Sequence, residues 1–238
     1  MMSPKIAKIL EILPDSIENY ISKKFVDRTM KKYANLTIEG KENLNDIQKP
    51  TLFVCNHLSN ADVMIVNAAI KEINPTFVAG AKLKSDPVTK LGTKIYKNTS
   101  IKPNSPDKEG LKRIIDLIKN GESIMIFPEG TRSREGKMIE GKRGILLIAK
   151  LAKVPIVPLA LWGTEKMLPI NEEGVMNQER FVKSDVHIRI GKQIKMPTKM
   201  REEDKKDYDD RAMNYIMGSI AELLPDEYKG FYGEEPKK

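Results

Sequence analysis

The chain has 238 residues, 40% of them hydrophobic, 31% charged and 6% aromatic, with a formal net charge of +8. Those values fit one folded domain with at most a small appendage and exclude wholesale disorder. A single cysteine excludes a disulfide framework and a cysteine-based zinc site. The longest stretch without a formal charge is the 12 residues from Pro50 to Ala61, too short for a spanning helix of about 20 apolar residues.

At the amino terminus Lys5 and Lys8 precede an apolar run that Glu11 breaks, so no signal peptide is expected and the expected compartment is cytoplasmic. The first 33 residues predict a helical pair. Ile6, Ile9, Leu10 and Leu13 follow a 3.6-residue period, and Pro14-Asp15-Ser16 reads as a break and a cap. Ile17, Tyr20, Ile21 and Phe25 begin a second apolar stripe, with Lys23, Lys24, Arg28, Lys31 and Lys32 crowding its end. Two readings fit a basic amphipathic pair: packing on its own domain, or lying in a membrane interface.

From about residue 36 strands alternate with helices. Leu52-Phe53-Val54-Cys55, Ile124-Met125-Ile126-Phe127 and Ile156 to Leu161 are short, continuous apolar runs. Such strands are buried on both faces, which predicts a largely parallel sheet. Helices are expected at about 61–72, 107–120 and 143–152, with Gly121 stopping the second. Val186 to Ile190 reads as another strand, and residues 201–224 as a charged amphipathic helix with Met213, Ile216, Met217, Ile220 and Leu223 on its apolar face. The expected fold class is α/β, a largely parallel central sheet flanked by helices, with the amphipathic pair in front. The last eight residues read as a loose tail.

Charge is uneven along the chain. From Lys199 onward eight basic and eleven acidic residues leave a net −3, so the first 198 residues carry +11. That excess suits an anionic partner or a solvated basic surface. Nucleic acid is disfavoured, because the basic runs lack interleaved stacking aromatics and no nucleic-acid module is present.

There are two histidines. His187 lies in an alternating strand with no acid placed to orient it, and its expected role is structural. His57 follows an apolar strand, where open α/β sheets place their sites, and Asp62 comes five residues later at the start of the next helix. A strand-to-helix turn can bring that carboxylate against the imidazole and leave the other nitrogen to take a proton. A loop histidine beside a helix-capping aspartate fits the spacing equally. No G-x-S-x-G elbow supplies a nucleophile; Cys55, two residues before His57, fits either a Cys–His pair or, as cysteines in apolar strands more often are, a small core residue. The second constellation is Phe127-Pro128-Glu129-Gly130-Thr131-Arg132-Ser133-Arg134, directly after a buried strand. Arginine beside a hydroxyl and free backbone N–H groups suits a phosphate. Between the two lie Lys82, Lys84, Lys90, Lys94, Lys97 and Lys102 against the single acid Asp86, either a solvated face or a funnel for an anion.

Asn56-His57-Leu58-Ser59-Asn60-Ala61-Asp62 resembles the NHxxxxD signature of the glycerolipid acyltransferases, and Phe127 to Arg132 matches their FPEGTR signature. Val154 to Pro158 is similar to the family's fourth block, and Glu222 to Tyr232 to its carboxyl-terminal region. The resemblance covers about residues 35–230 and is closest to the bacterial 1-acyl-sn-glycerol-3-phosphate acyltransferases, the PlsC-type enzymes. It implies that His57, oriented by Asp62, deprotonates the 2-hydroxyl of lysophosphatidic acid for attack on the thioester of acyl-CoA or acyl carrier protein. It implies that Glu129, Gly130 and Thr131 shape the acceptor site, that Arg132 holds the glycerol phosphate, and that Lys82 lies near the acceptor. No metal or redox cofactor is implied.

The family's second block, GxxFIxR, has its counterpart here at Gly92 to Asn98, with asparagine where the family has arginine. Lys97 or Lys94 is then the expected source of charge, although lysine does not reproduce a bidentate arginine clamp. The resemblance also implies that residues 1–34 seat the chain on an anionic membrane surface, peripheral on the inner face. Residues 35–230 would be the acyltransferase domain and 231–238 the tail. Alternative readings keep the dyad with another lyso-lipid, glycerol 3-phosphate or water as acceptor, or make the chain a non-catalytic membrane-surface protein.

Overall fold

The structure is a computed structural model that describes residues 12–80, 95–102, 105–171 and 178–233. Chain order is α1 (Asp15–Tyr33), β1 (Ala34–Glu39), β2 (Leu52–Cys55), α2 (Asp62–Ile70), β3 (Thr76–Gly80), β4 (Asn98–Ile101) and α3 (Lys108–Lys119). It continues through β5 (Ile124–Ile126), α4 (Gly144–Ala152), β6 (Ile156–Trp162), α5 (Thr164–Met167), β7 (Ser184–Ile190) and α6 (Lys205–Ala221). Among the described residues the strands form a seven-stranded sheet in the order β1-β7-β6-β2-β5-β3-β4. Every neighbouring pair is parallel except β6 with β7. The expected α/β architecture is therefore present.

Strand position follows side-chain chemistry. All four residues of β2 are fully buried, because β2 sits mid-sheet with β5 on one side and β6 on the other, covered on both faces. Burying Phe53 or Ile65 stabilises the fold by roughly 1.5–3 kcal/mol each. In β7 only Val186, Ile188 and Ile190 face the core, giving the alternation of a half-buried strand. Gly121 ends α3 as expected. At φ +87° it donates to Ile118 O while the Glu122 N–H reaches Leu117 O, a Schellman closure that glycine adopts without steric cost.

Three expectations change. The helix over residues 15–33 forms, but its buried face is Glu18, Ser22 and Thr29, while Ile17, Tyr20 and Ile21 are 36–60% exposed. Most of the apolar stripe is therefore open to solvent, with Phe25 half-buried. The first helix of the expected pair falls almost wholly outside the described residues. The boundary expected after residue 34 moves by one: β1 begins at Ala34, which pairs with Ser184. Finally, the tail expected from residue 231 is held at its start. Phe231 N–H bonds Met138 O, and the Gly141 N–H donates to the Tyr232 hydroxyl.

Among the described residues no helix is long and apolar enough to cross a membrane.

Candidate active site

Two loops leave the carboxyl ends of the adjacent strands β2 and β5. The first, Asn56 to Ala61, is pinned by its own polar side chains. Asn56 Nδ2 donates to Leu161 O at 2.8 Å and its Oδ1 accepts from Leu161 N at 2.9 Å, which ties the loop to β6. Ser59 Oγ donates to Leu168 O at 2.8 Å. Asp62 opens α2 with its side chain fully buried, and a single oxygen organises the turn behind it. Its Oδ2 accepts from Leu58 N–H at 2.7 Å, from Ser59 N–H at 2.9 Å, and lies 2.7 Å from His57 Nδ1.

The spacing of five residues thus does close into a histidine–carboxylate pair. Asp62 is not an ordinary helix cap, because the amides it satisfies precede the helix. In the neutral ring, Nδ1–H donated to Asp62 leaves the lone pair on Nε2. The imidazole is stacked on Phe127, with ring centroids 4.2 Å apart and planes 16° from parallel, and is 18% exposed. Nε2 has no hydrogen-bond partner among the described residues.

The second loop is held against the first. Ser133 N–H donates to His57 O at 2.8 Å, and Gly130, at φ +69°, closes a turn in which its N–H reaches Phe127 O. That left-handed backbone is where glycine carries no Cβ penalty. Glu129 is fully buried and sits behind the dyad rather than on the rim of an acceptor site. Its Oε1 accepts from His57 N–H at 3.0 Å and its Oε2 from Ile139 N–H at 3.2 Å. Burial pushes its carboxyl up to about 8; the two N–H bonds oppose that rise and the nearby Asp62 charge adds to it. Gly130 and Thr131 are exposed at the turn, with Arg132 beside them. Arg132 Nη1 donates to Glu179 Oε1 at 2.6 Å, and its side chain is 14% exposed.

Other expected residues fall elsewhere. Lys82, Lys84, Lys90 and Lys94 lie outside the described residues. Lys97 is described, and the register does not bring it to the site. Asn98 is level with Phe77 and hence with Met125 and Phe53, so Lys97 precedes β4 at the amino-terminal edge of the sheet. His57 lies past the opposite edge. The described lysine that follows β4 on the dyad's side is Lys102. His187 is structural, stacked on Trp162 with centroids 4.9 Å apart. Cys55 is buried, and burial, then the charges of Asp62 and Glu129, hold its thiol well above the ordinary range, so it is no thiolate nucleophile. Among the described residues no group of three or more His, Cys, Asp or Glu is placed to hold a metal ion. Glu179 was not legible: its partners are 47 and 119 residues away.

An α/β sheet carrying a histidine–carboxylate pair at the carboxyl end of a central strand suits acid–base chemistry, and comparison with known proteins gives the family. The family model described as Acyltransferase matches residues 35–162, and the chain belongs to that family. Among its relatives is a chloroplast 1-acyl-sn-glycerol-3-phosphate acyltransferase of Brassica napus, 31% identical over 179 residues, covering 74% of this chain and 50% of the relative. Another is the 1-acyl-sn-glycerol-3-phosphate acyltransferase of Bacillus subtilis, 28% identical over 143 residues, covering 60% of this chain and 70% of the relative. The chain thus spans about half the length of the plant protein. The crystal structure of the 1-acyl-sn-glycerophosphate acyltransferase PlsC of Thermotoga maritima shares the fold, with a TM-score of 0.62 over 88% of this chain and 81% of that one, at 22% identity.

Proposed function

We propose that the chain transfers an acyl group from an acyl thioester, of coenzyme A or acyl carrier protein, to the 2-hydroxyl of 1-acyl-sn-glycerol 3-phosphate, giving phosphatidic acid. The observation that carries this reading is the open Nε2 of His57, backed by Asp62 at 2.7 Å, on a loop bonded directly to the arginine loop. The names of the relatives support the same acceptor.

The residues divide the work as follows. Nε2 takes the hydroxyl proton as the oxygen attacks the thioester carbonyl. Asp62 holds the ring and stabilises the imidazolium that forms. The tetrahedral centre then collapses, the C–S bond breaks, and the imidazolium proton goes to the departing thiolate. Arg132 supplies the charge that holds the acceptor phosphate. The reaction as written needs no metal or redox cofactor.

Product should form only when a lyso-acceptor is present, as read by mass spectrometry over a panel of acceptors with acyl-CoA or acyl carrier protein donors. Release of free fatty acid without an acceptor would replace transfer with hydrolysis. Arg132→Ala should lower kcat/KM for the phosphorylated acceptor by about 10–100-fold, the equivalent of one charge-assisted bond of roughly 1.5–3 kcal/mol. The donor KM should move little. Equal weakening of donor and acceptor would place Arg132 on the donor's phosphates or in the scaffold.

The membrane reading belongs with this proposal. Ile17, Tyr20 and Ile21 face outward from α1, and Lys23, Lys24, Arg28, Lys31 and Lys32 are exposed on the same helix. An apolar stripe turned from its own core suits the interface of a bilayer, and each nearby cation adds on the order of 1 kcal/mol at an anionic surface. Flotation with vesicles should rise with anionic lipid and fall with salt, leaving a salt-resistant fraction. Replacing Ile17, Tyr20 and Ile21 together with aspartate in the full chain should remove that fraction. Unchanged flotation would put the seating surface elsewhere.

A further inference from the structure

Among the described residues outside the two motif loops, Glu179 is the side chain that hydrogen-bonds to both. It lies after β6 and α5, far in sequence from each loop, and its carboxylate is fully shielded from solvent. Oε1 accepts from Arg132 Nη1 at 2.6 Å, and Oε2 accepts from Asn60 Nδ2 at 2.8 Å. Asn60 stands between His57 and Asp62. One buried carboxylate therefore divides its two oxygens between the dyad loop and the arginine loop. Its own segment is anchored: Val182 N–H bonds Met167 O at 2.8 Å, and Phe181 stacks on Tyr33 with centroids 5.5 Å apart.

A buried carboxylate demands partners, so both donors are drawn to it. Among the described residues only Nη1 of Arg132 is engaged, which leaves the remaining donors of the guanidinium fork for an anion. Local backbone geometry does not fix the tip of an arginine; a buried partner does.

We infer that Glu179 is a positioning residue that fixes the offset between the Arg132 guanidinium and the His57 loop, and so selects an acceptor whose phosphate and reacting hydroxyl match that offset. This rests on the reading of Arg132 as the holder of the acceptor phosphate. Losing the brace misplaces the cation relative to Nε2 without removing it, and small misplacements in such sites cost up to about 100-fold.

The test is a cycle of Glu179→Ala, Arg132→Ala and the double variant. Steady-state rates are measured with lysophosphatidic acid and with the monoacylglycerol that lacks its phosphate. Glu179→Ala should lower kcat/KM for the phosphorylated acceptor roughly 10–100-fold, chiefly through acceptor KM. The donor KM and the rate with monoacylglycerol should change little, and the penalty should vanish in the Arg132→Ala background. Should Glu179→Ala not fold, Glu179→Gln carries the same comparison. Its neutral amide weakens a charge-assisted bond by about half, so a several-fold, acceptor-selective rise in KM is expected. Equal losses with both acceptors, full additivity with Arg132→Ala, or a folded Glu179→Gln with unchanged acceptor KM overturns the inference. If Arg132→Ala keeps the preference for phosphate, the parent reading fails and this one with it. If Arg132→Ala loses that preference while Glu179→Ala keeps it, this one fails alone.

Discussion

Replacing His57 with alanine should lower acyl transfer by about 10²–10⁴-fold and leave the fold intact, because that is the range a positioned general base contributes. Among the described residues no second group can substitute. His187 lies in β7, with β6 between it and β2, and is stacked on Trp162. The Cys55 thiol is held in its neutral form by burial. The structural cost should be small. The ring stacks on Phe127 and is partly exposed, so its loss forfeits roughly 0.5–1.5 kcal/mol beyond area burial, while Asp62 keeps its bonds to the Leu58 and Ser59 amides. For a chain of this length that corresponds to about 1–6 °C in Tm. Turnover at saturating donor and acceptor, with calorimetry on the same preparation, checks both halves. Near-normal turnover in a folded His57→Ala protein would remove the dyad from the chemistry.

How much of this was legible in the sequence depends on where each element gets its stability. β2, β5 and β6 announce themselves as continuous apolar runs because they are buried on both faces. β3 and β4 carry Thr76, Asn98, Thr99 and Ser100, and β4 is an edge strand, so partners rather than composition hold them in the sheet. β1 is held by β7 about 150 residues away. The dyad could be read because both of its members lie within one loop. The displacement of Lys97 from its expected place has the opposite cause. Which end of β4 faces the site is a matter of register, and register is set by pairing with β3. The face that α1 buries departs from its apolar period: Glu18, Ser22 and Thr29 are buried while Ile17, Tyr20 and Ile21 are not, a placement the period alone does not predict.

Two substitutions at Asp62 should separate the carboxylate's charge from its scaffolding. The structure makes Oδ2 the common acceptor for two backbone amides and for His57 Nδ1, while Oδ1 is buried without a hydrogen-bond partner among the described residues. An asparagine side chain at this position can place its amide oxygen where Oδ2 sits and keep all three bonds, with its NH₂ in the position of Oδ1. What it removes is the negative charge that stabilises the imidazolium. Asp62→Asn should therefore cost about 10²–10⁴-fold in kcat, comparable to the loss of the base itself, while its buried, unpartnered NH₂ costs about 1–3 kcal/mol, or about 2–12 °C in Tm. Asp62→Ala should cost a similar factor in rate and much more in stability, because the Leu58 and Ser59 amides lose their acceptor inside the protein. At about 1–3 kcal/mol for each stranded donor, the sum is roughly 2–6 kcal/mol, or about 4–24 °C at this chain length. A purely structural aspartate predicts a different pattern: rate loss would track stability loss across the two variants, and Asp62→Asn would be nearly silent in rate. Turnover and Tm measured side by side for Asp62→Asn decide the matter: a folded but slow protein places Asp62 in the chemistry, acting on His57 through its charge or through the tautomer it selects.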